Sequence, residues 1–538
     1  MIVLGLHGGV TIRQHEASAC LVIDGRVVAL CEEERYTRQK GAYGVLPFHA
    51  IKACLKQAGI AWEEIERIVT PGSTYARFDD IVRAYLVHNF GSCPPIERVH
   101  HQTAHLATAF YASPHERAVC LSLDATGDGT AGCIALADRN YGLQIVREIP
   151  TTQSIGFFYT LMTHYLGFSD GDEYKVMGLA PYGRPTVDLS PVLRLQEEGW
   201  ALDRRYFRTD PPVQSPFEPI CHNDLVNLLG QPVRRPDNPV LPFHKDVAAS
   251  AQRTLENAIL RLAEWIASTY PGLPLCYAGG VALNCAANAK LAAADLFSDI
   301  YVPPVASDRG LSLGCAYLGA AAAGDCPQPL AHAYLGSGYD DETIEGELAA
   351  NGCSYRRIDD PAAVAADLIA DGAIIGFFQG RSEAGARALG NRSILARPGG
   401  IEVKHLVNQR IKFREEFRPF APAIQSERAT EHFRMAQPES PYMCFTTPAV
   451  TPSDDALGAV VHVDGTSRLQ TVAPDANPLF HRLLGRHAER SGTPVVLNTS
   501  FNLKGQPIVE TPRDALMTFY GCGLDQLVIG NWLVGKLR

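Results

Sequence analysis

His101 and His105 stand four residues apart in "HHQTAHLATAF", a run of helix-forming residues, so both imidazoles share one helical face. Two neutral imidazoles side by side are two legs of a metal site. In a chain with 17 histidines such a pair also arises by chance, and two ordinary histidines on a helix face account for the spacing alone. A carboxylate would have to complete the site. Asp124 ends the apolar strand-like run "AVCLSLD", where a strand-end side chain faces a neighbouring helix. Asp308, in "PVASDRGLSLGCA", sits on a glycine-containing turn before a helix, where it is a fourth ligand or a plain N-cap. Two imidazoles with one or two carboxylates form a mixed N/O set that suits Fe(II), Mn or Zn better than Ca or Mg. An Fe(II) oxygenase carries a similar set, but usually on a β-barrel, and it leaves the arginine-rich C-terminal third unexplained.

The elements around these residues repeat. "MIVLGLHGG" reads as a strand, followed by a polar loop ending at "HEAS" and by "ACLVIDGRVVALCEEE", two β-rich runs joined by the tight-turn dipeptide Asp24-Gly25. "AVCLSLDATGDGTAGCIALADRNYGLQIVREIP" repeats the order of strand, Gly/Asp/Thr loop, strand, turn, strand. The duplication resembles the ASKHA superfamily of actin, Hsp70 and sugar kinases, in which two halves enclose a nucleotide; plain hairpins with flexible loops remain open as a reading. Gly127-Asp128-Gly129 would bring backbone N–H groups close to phosphate oxygens. In "CYAGGVALNCAANAKL" the Gly279-Gly280 turn precedes a helix whose N-terminus would face an anion. Residues 247–270 read as a long amphipathic helix.

The chain has 538 residues, 46% of them hydrophobic and 20% charged, which implies two or three packed domains of ordinary soluble composition. Gly and Pro interrupt the helical pattern at 321–341 and mark a boundary, giving domains at 1–335 and 345–538. A formal net charge of −10 argues against a nucleic-acid partner and favours a small-molecule substrate. No charged segment precedes an apolar leader, and no apolar run reaches the roughly 18 residues of a membrane span, so a cytoplasmic chain without membrane contact is expected. The 14 cysteines are scattered without C-x-x-C, as expected of reduced thiols rather than disulfides or zinc ligands.

The motifs "HEASACLVIDG", "EEERYTR", "HHQTAH", "SLDATGDG", "GDEYKVMGLAPYG", "GGVALNC", "GRSEAGARALGNRSILA", "KFREEFRPFAPA" and "LNTSFNLKGQPIVETPRDAL" run from near residue 15 to near residue 515. Together they closely resemble the NodU/CmcH family of O-carbamoyltransferases, which includes the nodulation-factor, cephamycin, novobiocin, geldanamycin and tobramycin enzymes. The resemblance implies an α/β chain with an N-terminal TsaD-like ASKHA domain and a C-terminal YrdC-like domain, using ATP with Mg(II) and carbamoyl phosphate. In the second domain carbamoyl adenylate and pyrophosphate form. In the first, at a metal usually considered iron, the carbamoyl group passes to a hydroxyl of a small-molecule acceptor, as in antibiotic biosynthesis. The residues matching the metal ligands are His101, His105, Asp124 and Asp308. Gly127, Asp128, Gly129, Gly279, Gly280 and Asn284 would hold phosphate and adenosine, and His15 would be the general base for the acceptor hydroxyl, with loop support as its plainer role. Lys175 would bind phosphate or pair with Glu173. In the second domain Arg387, Lys412 and Arg468, with Arg414 and Arg418, would neutralise ATP and carbamoyl phosphate, and Asn498 and Ser500 would contact the triphosphate.

Arg13, two residues before His15, departs from the expected pattern; pointing inward, it would suit an anionic or neutral polyhydroxyl acceptor over a polycationic aminoglycoside. A homodimer is compatible with the sequence. Three other readings share parts of the pattern. A tRNA threonylcarbamoyl-adenosine synthase has both domain types but would act on tRNA. The hydrogenase-maturation carbamoyltransferase normally has C-x-x-C zinc fingers. A non-catalytic ASKHA module would bind ATP without making pyrophosphate from carbamoyl phosphate.

Overall fold

Asp24 and Gly25 close the first hairpin with φ of 49° and 77°, the paired left-handed conformations that match the twist of the strands they join. The hairpin strands Ser18–Ile23 and Arg26–Glu32 run antiparallel, and Ile2–His7 lies antiparallel on the other side of Ser18–Ile23. Arg67–Pro71 then adds parallel to Ile2–His7, and Ile96–Val99 completes a five-stranded sheet. The helix Leu311–Ala322 packs on Ile2–His7. Gly5 permits this approach: a Cβ there would overlap the Ser312 carbonyl and the Ala316 backbone.

A second five-stranded sheet repeats this topology. Thr130–Asp138 lies antiparallel between Arg117–Gly127 and Gly142–Pro150, and Leu275–Ala278 runs parallel to both Arg117–Gly127 and Ile300–Tyr301. Each half is thus a three-stranded meander extended by two crossover strands, the duplicated ASKHA arrangement, and the chain is an α/β protein. The long helix expected at 247–270 is Pro242–Thr269, with proline in its first turn where no intrahelical N–H is lost.

Residues after 340 build an eight-stranded mixed sheet in the order Ser354–Arg357, Trp532–Gly535, Gln526–Ile529, Ile375–Phe378, Arg392–Ala396, Val495–Ser500, Ala421–Gln425, Gln470–Val472. Pro361–Ala370 and Pro478–Ser491 pack against each other and cover one face through Ile369, Phe377, Phe480 and Leu483. Asp360 and Asn477 cap these helices by accepting first-turn N–H groups, and each is followed by proline. The opposite face is a second core around Phe378, Ile394, Leu497 and Phe501.

The computed structural model describes residues 1–9, 14–206, 221, 223–452 and 455–536. Arg13 lies outside them. Two compact units are present: one comprises Met1–Thr70, Asp79–Glu97 and Asp308–Arg538, the other Pro71–Phe78 and Arg98–Ser307. Among the described residues every cysteine is a free thiol, and no helix is long and apolar enough to cross a membrane.

Candidate metal centre and anion-binding loops

The helix His101–Ala112 begins at the first of the two histidines. Asp124 sits near the end of Arg117–Gly127, the strand on which this helix packs. His101 Nε2 lies 3.1 Å and His105 Nε2 3.3 Å from Asp124 Oδ2, and the two Nε2 atoms are 3.1 Å apart. Protons alone satisfy this triangle poorly: if both neutral rings donate to Oδ2, the two N–H groups also face each other. A cation accepts a lone pair from all three atoms. Ligands about 2.1 Å from a metal at tetrahedral or octahedral angles lie about 3.0–3.4 Å apart, so the donor set fits a divalent ion. His105 is fully buried and His101 nearly so. Burial opposes charge on Asp124, but hydrogen bonds from both histidines hold its carboxyl well below the usual carboxylate range.

Glycines make room around this cluster. A Cβ on Gly127 would overlap the His101 imidazole, and one on Gly279, whose φ is +93°, would overlap the Leu123 backbone. Asp128, at φ 49°, turns its carboxylate inward. It accepts from the Ser73 N–H at 3.0 Å, the Thr74 hydroxyl at 2.7 Å and the His101 N–H at 2.9 Å. Asp128 therefore locks the 72–74 loop to the start of the helix His101–Ala112. Burial raises the cost of its charge, yet these donors keep the carboxyl below its ordinary value. Asn284 caps Cys285–Ala293 through the Ala287 N–H and exchanges paired 3.0 Å amide hydrogen bonds with Gln252. Lys175 pairs with Asp172 at 2.8 Å, and Glu173 accepts from the Thr160 hydroxyl at 3.0 Å.

In the other unit, His7 at the end of the first strand donates from Nε2 to the His15 carbonyl at 2.9 Å and lies 3.8 Å from Asp308 Oδ2. The His15 ring lies 5.7 Å from that of Tyr43. Asp308 opens the turn Asp308–Gly310, and the N-cap of the following helix is Gly310, so Asp308 does not serve as that cap.

Within the eight-stranded sheet, Lys412 ends a π-helical turn, Asn408–Lys412, followed by Phe413 at φ 45°. Its buried ammonium donates to the Ser500 carbonyl at 2.8 Å, the Ser500 hydroxyl at 3.2 Å and Asn502 Oδ1 at 2.6 Å. Burial, then the nearby Arg414 and Arg418, push its pKa well below the ordinary lysine value. Arg414 stacks on Phe420 at 4.3 Å and donates to Asn408, and Arg418 lies 3.7 Å from Glu415. Asn498 donates to Gln470 Oε1 at 2.8 Å and to the Ala388 carbonyl, while its own side-chain oxygen is buried without a hydrogen-bond partner. Arg387, half-buried, rides on the loop 382–391. Arg468, also half-buried, lies between the short strand Thr466–Ser467 and Gln470–Val472.

The family model described as carbamoyltransferase N-terminus matches residues 80–317, and that described as carbamoyltransferase C-terminus matches residues 366–536. Nodulation protein NolNO of Sinorhizobium fredii is 36% identical over 100% of this chain and 83% of its own length. The chain belongs to the carbamoyltransferase family. Nodulation protein NolO of Bradyrhizobium diazoefficiens is 38% identical over 81% of this chain and 79% of its own. Among solved structures, HypF of T. kodakarensis superposes with a TM-score of 0.31 at 13% identity, covering 61% of this chain and 49% of that one.

In this carbamoyltransferase the structure brings together His101, His105 and Asp124 in one unit, and Lys412 with Ser500 in the other. Sequence reasoning missed His7, whose ring reaches both the His15 carbonyl and Asp308. Its signal was a lone histidine at a strand end before Gly8-Gly9. It also missed that Glu32, Glu34, Arg35 and Arg309 form one buried ionic cluster. Glu32, Glu34 and Arg35 fall within "EEERYTR", but their partner Arg309 is remote in sequence.

Proposed function

We propose that this carbamoyltransferase hydrolyses carbamoyl phosphate with one water to carbamate and phosphate and joins a carbamate oxygen to the α-phosphorus of ATP, expelling pyrophosphate, within residues 345–538. The carbamoyl group then passes from AMP to a hydroxyl of a small-molecule acceptor within residues 1–335, forming a carbamate ester and releasing AMP. The observation that carries the reading is the convergence of two imidazoles and a carboxylate inside the region matching the carbamoyltransferase N-terminus.

His101, His105 and Asp124 would hold the metal, with Asp308 as fourth ligand and Fe(II) the favoured ion. When bound it supplies Lewis-acid polarisation of the group being transferred. Gly127 and Gly129 would present backbone donors to phosphate, with Gly279 and Gly280 beside the adenosine. Asp128, Asn284 and Lys175 contribute by fixing these loops, consistent with the protein contacts their side chains already make. The His15 imidazole would take the acceptor's proton as its oxygen attacks the carbonyl carbon. In the adenylate-forming half Arg387 and Arg468 would neutralise the phosphates, and Arg414 and Arg418 would add to the positive field around Lys412. The buried Lys412 ammonium holds the Ser500 hydroxyl and the 500–502 backbone in place. The unsatisfied Asn498 oxygen supplies an acceptor in the same strand.

The printed names of two relatives associate those proteins with nodulation. The decisive experiment measures pyrophosphate release from ATP by the purified chain, with and without carbamoyl phosphate. Release is expected only with carbamoyl phosphate, and Arg468→Ala is expected to lower it by about a hundredfold, the scale for removing a positioned charge from phosphoryl chemistry. Release indifferent to carbamoyl phosphate would overturn the reading.

A further inference from the structure

The motif "EEERYTR", residues 32–38, has no part in the proposed reaction, yet four consecutive charged residues in it, Glu32, Glu33, Glu34 and Arg35, are buried. Glu32 and Arg35 are almost wholly buried, as are Glu34 and Arg309. Arg309 reaches Glu32 at 3.0 Å, Glu34 at 3.4 Å and Glu16, next to His15, at 2.9 Å. Arg35 lies 3.5 Å from Glu32 and 3.8 Å from Glu34. Removing such groups from water costs several kcal/mol per ion, and well-packed apolar residues would stabilise the fold as well or better, so geometry rather than stability explains their presence.

The geometry is specific. Glu32 Oε1 accepts the Gly385 N–H at 2.6 Å, and an Arg35 guanidinium nitrogen donates to the Gly385 carbonyl at 2.6 Å. Both backbone polar groups of one residue are thus held by charged side chains from the motif. Gly385 has φ +106°, which favours glycine, and it lies two residues before Arg387. From inside, Glu383 takes the N–H groups of Leu389 and Asn391, each at 2.7 Å, so the loop is clamped from both sides. Arg38, at the end of the motif, donates to the carbonyls of Ile508 and Pro507 at 2.7 and 3.0 Å.

We infer that the 32–38 segment is a positioning element of the adenylate-forming site: Glu32 and Arg35 hold Gly385 so that Arg387 meets its anionic substrate in a fixed place. The inference rests on the anion-binding role proposed for Arg387. Lys412 and Ser500 are held by separate contacts and do not depend on this clamp. Lysine at position 35 keeps the charge but loses the planar fork that serves Gly385 and two carboxylates together.

The full-length Arg35→Lys chain tests this through carbamoyl-phosphate-dependent pyrophosphate release and hydrogen exchange of the 383–391 peptide. The KM of the co-substrate bound by Arg387 is expected to rise about tenfold, with the other KM within about twofold, as fits loss of charge-assisted hydrogen bonds to one loop. Exchange in 383–391 should quicken about tenfold while the 498–502 peptide keeps its rate. Gly385→Ala, which strains the same loop from its own side, should reproduce the effect, and the double variant should be no worse than the worse single one. Unchanged kinetics with unchanged exchange, or additive losses in both KM values that follow a lowered melting temperature, would overturn it. If the unmodified chain released no pyrophosphate, the proposed function would fail by itself; unchanged exchange in Arg35→Lys is the separate result that sinks the clamp.

Discussion

Gly127 decides whether His101, His105 and Asp124 can converge as a candidate metal triad. The strand carrying Asp124 passes His101 so closely that any Cβ at 127 falls within the imidazole, although Gly127 offers no ligand itself. Gly127→Ala is therefore expected to weaken metal binding at least tenfold by displacing His101, at a stability cost of about 1–3 kcal/mol from overpacking. Titration with Co(II), followed by its visible absorption, reads the first effect, and thermal melting of the metal-free protein reads the second. Wild-type cobalt affinity in this variant would show that His101 is not a ligand. The histidine spacing and the strand-end Asp124 were legible because residue type and period are local properties. The uses of Asp128 and Lys412 were not, because a side chain's partners depend on which loops fold back onto it. Asp128 reads in sequence as part of a phosphate loop, whereas its carboxylate is taken up by Ser73, Thr74 and the His101 N–H.

At the level of elements, the duplication was legible because it repeats alternating apolar runs and turn residues. Asp24-Gly25 specified its hairpin outright, as its left-handed dihedrals show. The capped starts of Pro361–Ala370 and Pro478–Ser491 likewise rest on adjacent residues, Asp360-Pro361 and Asn477-Pro478. The order of the eight-stranded sheet was not legible. Its central partners Ile375–Phe378 and Gln526–Ile529 are far apart in the chain and run parallel, a pairing that no local pattern specifies. Gly5 is a comparable long-range demand: it lies in the middle of a strand, where glycine weakens β structure, and is tolerated because Ser312 and Ala316 press against it. Gly5→Ala should lower stability by about 3 kcal/mol, since the clash is with backbone rather than a flexible side chain. Chemical denaturation measures this, and a loss under about 0.5 kcal/mol would mean the helix Leu311–Ala322 shifts freely on the strand.

At the scale of the whole molecule, the glycine- and proline-rich stretch at 321–341 marks an interruption along the chain, whereas compactness groups the first 70 residues with Asp308–Arg538. The physical cause is visible in the charges. Glu16, Glu32 and Glu34 share Arg309, and Glu32 with Arg35 holds the Gly385 backbone, so one ionic cluster ties the first 35 residues to Arg309 and to the 382–391 loop. Removing one partner from such a cluster leaves an uncompensated buried charge, worth about 3–5 kcal/mol, which makes separate unfolding of its contributors unfavourable. The unit containing Gly5 should therefore unfold as one cooperative body despite being assembled from three stretches of sequence, and the unit containing Gly127 as another. Scanning calorimetry of the metal-free chain is expected to resolve two transitions. Gly5→Ala should lower only one of them and Gly127→Ala only the other, because each substitution strains contacts made within its own unit. If Gly5→Ala instead split its transition, with the 345–538 region keeping its wild-type midpoint, the ionic cluster would not be what binds the first 70 residues and Asp308–Arg538 into one folding unit.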